Sequence, residues 1–185
     1  MKPTAELSQE HQAILEMIRI LGLMAGRLEA GTPVDPDDLD RSVEFIRVFA
    51  DKCHHGKEEG HLFPEMEKAG IARDHGPIGV MLAEHASGRR FVGEMAGAIP
   101  GFRQTGDPQA AEAFALAARG YGALLTQHID KEDHILFPMA DARLSADQQS
   151  RLEAAFAEVE RNVVGEGRHE EFHRLLERLG KAYPA

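Results

Sequence analysis

The residues able to do chemistry in this 185-residue chain are histidines and glutamates, and they occur twice in the same order. Glu10-His11 returns 74 positions later as Glu84-His85. In the same register, with no gap, His54, Lys57, Glu58, Leu62, Phe63 and Pro64 return as His128, Lys131, Glu132, Leu136, Phe137 and Pro138. In each half the His-x-x-x-Glu pair begins 43 positions after the lone histidine. On a helix, positions i and i+4 are neighbours with Cβ atoms about 5–6 Å apart, so His54 with Glu58, and His128 with Glu132, can each grip one centre. All six lie on otherwise apolar faces. Burying four imidazoles and two ionised carboxylates without partners would cost several kcal/mol for each carboxylate, which a marginally stable domain cannot carry. A bound cation satisfies them together, because it accepts neutral imidazole and carboxylate at one point.

The donors are nitrogen and oxygen, with the single cysteine, Cys53, read as a small buried residue, so iron, manganese or zinc fits better than copper(I) or an iron–sulfur cluster. Six or seven ligands exceed what one tetrahedral zinc uses, which predicts two metals bridged by Glu58 and Glu132. His55 has no counterpart, since Ile129 occupies the matching position, and it projects about 100° around the helix from His54. It is therefore assigned to the second metal with His85 and His128, leaving His11 and His54 on the first, which keeps a vacant position. Two readings of His55 stand: a ligand, or a solvent-facing or hydrogen-bonding neighbour of one. Glu59 and Asp133 are read as solvated or as supports for the ligands.

Helices must carry these residues, because apolar positions recur at spacings of three and four and no strand-like runs occur. The first is predicted from Thr4 to Ala30, with Leu7, His11, Ile14, Ile18 and Leu21 on one stripe and Gly31 as a left-handed stop. Asp35-Pro36 and Asp107-Pro108 read as N-cap and first helical residue, and Gly76-Pro77 opens a helix in the same way. These start helices running to about Ala69, with a kink at Pro64, from Pro77 to about Ile99, and from Pro108 to about Ala142. His85 lies on the stripe Ile78, Met81, Gly88, Val92 and Met95. His128 lies on the stripe Tyr121, Leu124, Glu132 and Ile135. Ser145 with Gln148 forms a capping box that starts a fifth helix; Gly165 and Gly167 end it, and a last helix spans about Arg168 to Lys181. The expected fold is all-α: an up-down-up-down four-helix bundle over residues 1–143, with two additional C-terminal helices in a 144–185 extension packed on it.

Glu10-His11, His54-His55-x-x-Glu58-Glu59-x-x-Leu62-Phe63-Pro64, Glu84-His85 and His128-Ile129-x-x-Glu132-Asp133-x-x-Leu136-Phe137-Pro138 together resemble the hemerythrin HHE cation-binding domain. The resemblance covers roughly residues 5–142. It implies a hemerythrin-like bundle and a non-haem diiron centre, oxo- or hydroxo-bridged, held by His11, His54, His55, Glu58, His85, His128 and Glu132, with zinc or manganese as possible substitutes. Such a centre binds dioxygen or related small molecules. Two differences from the oxygen-carrying members stand out. Met81 occupies the place of an additional third-helix histidine, and the last carboxylate ligand is read at Glu132, where those members place it at the position of Asp133.

Function follows the site. The leading reading is a diiron protein that binds or senses dioxygen, nitric oxide, peroxide or iron itself. The alternatives are a diiron oxidase or peroxidase, and an interaction module in which a structural metal closes the bundle. A ferritin-like bundle would need Glu-x-x-His on two helices; Glu58-x-x-His61 has that spacing, but Glu166-x-x-His169 and Glu170-x-x-His173 share one C-terminal helix. His61, His75 and His134 read as surface or loop residues, His169 and His173 as a solvated helix face, and Tyr121 as a packed core residue. Composition narrows the partners. Hydrophobic residues make up 43% and charged residues 28%, as in a globular protein, and the net charge of −10 opposes nucleic acid and anionic membranes. One cysteine forbids an intrachain disulfide, and the opening Met1-Lys2-Pro3-Thr4-Ala5-Glu6 lacks the apolar run of a signal peptide. A cytoplasmic protein is expected, with a homodimer as one possible assembly.

Overall fold

The computed structural model describes residues 1–165 and 167–184; Glu166, and with it the Glu166-x-x-His169 pattern, lies outside the described residues. Six helices and no strand occur among them: α1 (Pro3–Glu29), α2 (36–68), α3 (Pro77–Thr105), α4 (108–143), α5 (146–164) and α6 (Arg168–Ala182). The first four form the antiparallel bundle. Their starts follow local chemistry. The Asp35 carboxylate accepts from the Asp37 N–H at 2.9 Å and the Asp107 carboxylate from the Gln109 N–H at 3.0 Å, each just before a proline whose missing donor costs nothing there. Ser145 and Gln148 form the reciprocal box at the start of α5.

Two expectations of helix shape are corrected. The third helix continues through Pro100 to Thr105, because proline removes only one ladder bond while Phe102, beyond it, packs on the core; Gly106, at φ 64°, ends the helix instead. Likewise, Pro64 and Pro138 each follow a wide, π-type turn, Glu58–Leu62 in α2 and Glu132–Leu136 in α4. The extra residue in each turn rotates everything after it. Ile135, expected on the inner stripe of α4, is exposed for this reason, whereas Leu136 and Phe137 are buried.

The bundle is not evenly packed. A Cβ added at Gly120 would stand 2.5 Å from the Phe91 ring, and one at Gly122 would stand 3.2 Å from Ile18, so α4 lies close to both α3 and α1. By contrast, α1 and α2 touch sparingly, and α5 and α6 lie against both. Phe172 of α6 meets Phe45 edge to face at 5.3 Å, while Leu176, Leu179 and Tyr183 join the core. At the far end of α6, Arg178 and the Tyr183 hydroxyl both donate to Asp38 on α2, at 2.7 and 2.9 Å. Two apolar clusters result, one on each side of a polar layer. That layer contains the repeated histidines and glutamates. No helix among the described residues is long and apolar enough to cross a membrane.

Candidate metal centre

All seven predicted residues meet in this layer, and all are buried: His11, Glu58 and Glu132 are 0% exposed, and His55, the most accessible, is 4% exposed. Their ligand atoms form two groups, His11, His54, Glu58 and Glu132 in one and His55, Glu58, His85 and His128 in the other. Within the groups, Nε2 of His11 lies 3.0 Å from Nε2 of His54, and Nε2 of His85 lies 3.1 Å from Nε2 of His128. The carboxylates connect the groups. Glu132 places one oxygen 3.2 Å from His11 and the other 3.2 Å from His128, while Glu58 stands 3.7 Å from His54 and 3.4 Å from His85.

The histidines are aimed by a ring of outer carboxylates. On α1, Glu10 takes Nδ1 of His54 on α2 at 2.8 Å. On α2, Glu59 takes Nδ1 of His85 on α3 at 2.7 Å. Glu84 of α3 takes Nδ1 of His128 on α4 at 2.9 Å, and Asp133 of α4 closes the ring on Nδ1 of His11 at 2.9 Å. Each helix thus orients the imidazole of the next. His55 is held from its own helix by Asp51, at 3.4 Å. With the Nδ1 proton donated outward, each of the four ring Nε2 atoms turns a lone pair inward. The repeated Leu-Phe-Pro also serves this layer: Phe63 stacks on His85 at 6.0 Å and Phe137 on His11 at 5.5 Å.

Outer charges are matched. Lys57 meets Glu10 at 2.5 Å, Lys131 meets Glu84, Arg89 spans Asp51 and Glu59, and Ser8 donates to Asp133. The inner charges are not, for all four oxygens of Glu58 and Glu132 are buried without a hydrogen-bond partner among the described residues. Imidazole lone pairs facing one another and facing carboxylates repel unless a positive charge sits between them. Without a metal, protons fill that role. Burial opposes charge on His11, but Asp133 and Glu132 outweigh it and raise its pKa to about 9; Glu58 and Glu59 do the same for His85. Burial likewise opposes ionisation of Glu132, yet His11 and His128 keep it well below the usual carboxylate range. His55 is the exception: burial, reinforced by repulsion from His85 and His54, holds it neutral. A divalent cation in each group would replace these protons and meet only nitrogen and oxygen, the donor set iron, manganese and zinc accept.

Other residues fall elsewhere. His61 lies half-buried near Phe156, outside both groups, and His75, His134 and His173 are exposed. His169 is not the solvated residue expected from a Glu- and Arg-rich helix: it is half-buried, donates to Glu160 and meets Phe49 edge to face at 5.4 Å. Tyr121 is buried, and its hydroxyl has no hydrogen-bond partner among the described residues. The outer supports Asp51 and Glu160 were not anticipated, since neither belongs to the repeat; the pairing of Glu10 with Glu84 in the repeat was the available sign for the other two.

Comparison with known proteins agrees with this geometry. An iron-sulfur cluster repair protein, YtfE, of Edwardsiella ictaluri is 32% identical over 142 residues, covering 72% of this chain and 62% of that protein. An uncharacterized protein of Mycobacterium tuberculosis is 26% identical over 161 residues, covering 87% of this chain and 62% of its own length. The chain thus spans about three fifths of the length of these relatives. No solved structure matches. Residues 2–140 match the Hemerythrin HHE cation binding domain, and with the bundle and its buried histidine–carboxylate layer in place, the chain belongs to that family.

Proposed function

We propose that the chain holds two iron ions through His11, His54, His55, Glu58, His85, His128 and Glu132, and uses the pair to bind a small oxygen- or nitrogen-containing molecule: dioxygen, nitric oxide or peroxide. The observation that carries the reading is the set of four orphaned carboxylate oxygens between two groups of inward imidazoles. Two irons so held would supply a redox couple with an open coordination position. The protein's own part is positioning: the outer carboxylates fix each imidazole, Glu58 and Glu132 span the two groups, and Phe63 and Phe137 exclude water from one side. A cavity of about 270 Å³ lined by Ile46, His55, Gly88, Val92 and Tyr121 supports access for a small molecule at the His55 side. The name of the Edwardsiella relative, an iron-sulfur cluster repair protein, is in keeping with iron at this site.

The test mixes the reduced, iron-loaded protein with dioxygen or nitric oxide and follows its near-ultraviolet and visible spectrum. A stoichiometric spectral change is expected with at least one of them, and it should be lost in Glu132→Ala but kept in His61→Ala. An iron-loaded protein that responds to neither gas nor peroxide would overturn the small-ligand reading.

A further inference from the structure

Lys57 is fully buried, and its ammonium is surrounded by three carboxylates from two helices. It donates to Glu6 at 2.8 Å and Glu10 at 2.5 Å on α1, and to Glu160 on α5. Those three bonds use all three of its protons. Glu10 in turn accepts from Nδ1 of His54 with its second oxygen, at 2.8 Å. A continuous chain therefore runs from the C-terminal helices to an inward histidine: Glu160, Lys57, Glu10, His54. Glu160 is itself held in place, accepting from His169 on α6 and from the Cys53 thiol at 3.2 Å.

Among the described residues, nothing comparable reaches the other half. Lys131, the repeat counterpart of Lys57, is part-exposed and meets only Glu84 among the described residues, so its other N–H groups can donate to water.

Resting on the reading of a two-metal site, we infer that Glu160 is a positioning residue for the metal on the His11/His54 side, which makes the C-terminal helices part of that half of the site. The direction follows from the charges. With Glu160 in place, Lys57 shares its protons, and Glu10 keeps enough negative charge to hold the His54 Nδ1–H firmly, which makes the opposite nitrogen a better donor to a cation. If Glu160 is neutralised, Lys57 draws harder on Glu10, and the cluster beside the site loses one negative charge. Both changes weaken the same metal.

The experiment titrates metal-free, full-length protein with cobalt(II) under anaerobic conditions and reads two binding steps from the visible spectrum. Glu160→Gln should weaken one step by about tenfold or more and leave the other at its wild-type affinity. Arg178→Ala cuts a separate tie between α6 and α2, its 2.7 Å bond to Asp38, and should lower thermal stability without moving either step. In the metal-free state the imidazole ¹⁵N shifts of His54 should move in Glu160→Gln while those of His128 stay. If Glu160→Gln does not fold, His169→Ala, which releases Glu160 from α6, should weaken the same step to a smaller degree. Two unchanged steps in Glu160→Gln, or equal weakening of both, would overturn the inference and leave the two-metal reading standing. A wild-type protein that binds fewer than two cobalt ions would remove that reading and the inference together.

Discussion

The two halves of the repeat contribute the same residues to the same layer but surround them differently. In the second half, α3 and α4 pack closely, Lys131 reaches solvent, and Ile129 fills the position beside His128. In the first half, α1 and α2 stand farther apart, α5 and α6 cover the opening, Lys57 is sealed among three carboxylates, and His55 takes the place of isoleucine. The repeat fixes where the histidines and glutamates stand, while the residues around it decide how unlike the two positions are. Four histidines and two glutamates are shared; the fifth histidine and the burial of the lysine are not.

The largest test of that contrast is the lysine pair. Lys57→Met leaves Glu6, Glu10 and Glu160 without their buried cation and should destabilise the metal-free protein by about 3–5 kcal/mol, as removal of one partner from a buried ion cluster does. Lys131→Met should cost about 1 kcal/mol or less, because its ion pair is solvated. Urea unfolding midpoints of the two variants measure the difference, and equal losses would break the contrast. His55→Ile makes the halves alike. It should weaken the metal held with His85 and His128 by at least about tenfold, the usual scale even for a support residue, and leave the His11/His54 metal in place.

Acidity separates what the halves share from what they do not. His11 and His85 are repeat counterparts, and both are raised from the ordinary histidine value to about 9 in the metal-free protein. A raised folded-state value means that their contribution to metal-free stability is fully present below about pH 6.5 and is lost as pH rises through 9. The sign reverses for metal binding: the cation must displace those protons, so affinity for both metals should climb between pH 6.5 and 9 and level off above. His55, held neutral, adds nothing to that slope. Calorimetric metal titration across this range checks it. The smallest expected effect belongs to His61→Ala, which should leave metal content unchanged.

Much of this was legible in the sequence because it lay in local spacing. The i and i+4 pairs and the 74-residue shift put six of the seven residues at one depth, and Asp-Pro and Ser-x-x-Gln marked helix starts that the structure contains. What was not legible depends on contacts between distant segments or on small insertions. The wide turns at Glu58–Leu62 and Glu132–Leu136 leave no periodic mark beyond the prolines after them, so Ile135 was placed on the wrong face. Asp51 supports His55 without a partner in the repeat, since residue 125 is Leu. Glu160 and His169 sit in segments whose composition suits solvent, and only the docking of α5 and α6 turns them inward. The third helix was expected to run to about Ile99, and the packing of Phe102 carries it past Pro100.

Metal stoichiometry separates a paired metal centre from a single one. Anaerobic loading of the purified protein with iron(II), removal of excess metal and elemental analysis should return two irons per chain, falling to one or none in Glu132→Ala. A single tightly held metal per chain, or no iron uptake at all, would contradict the account.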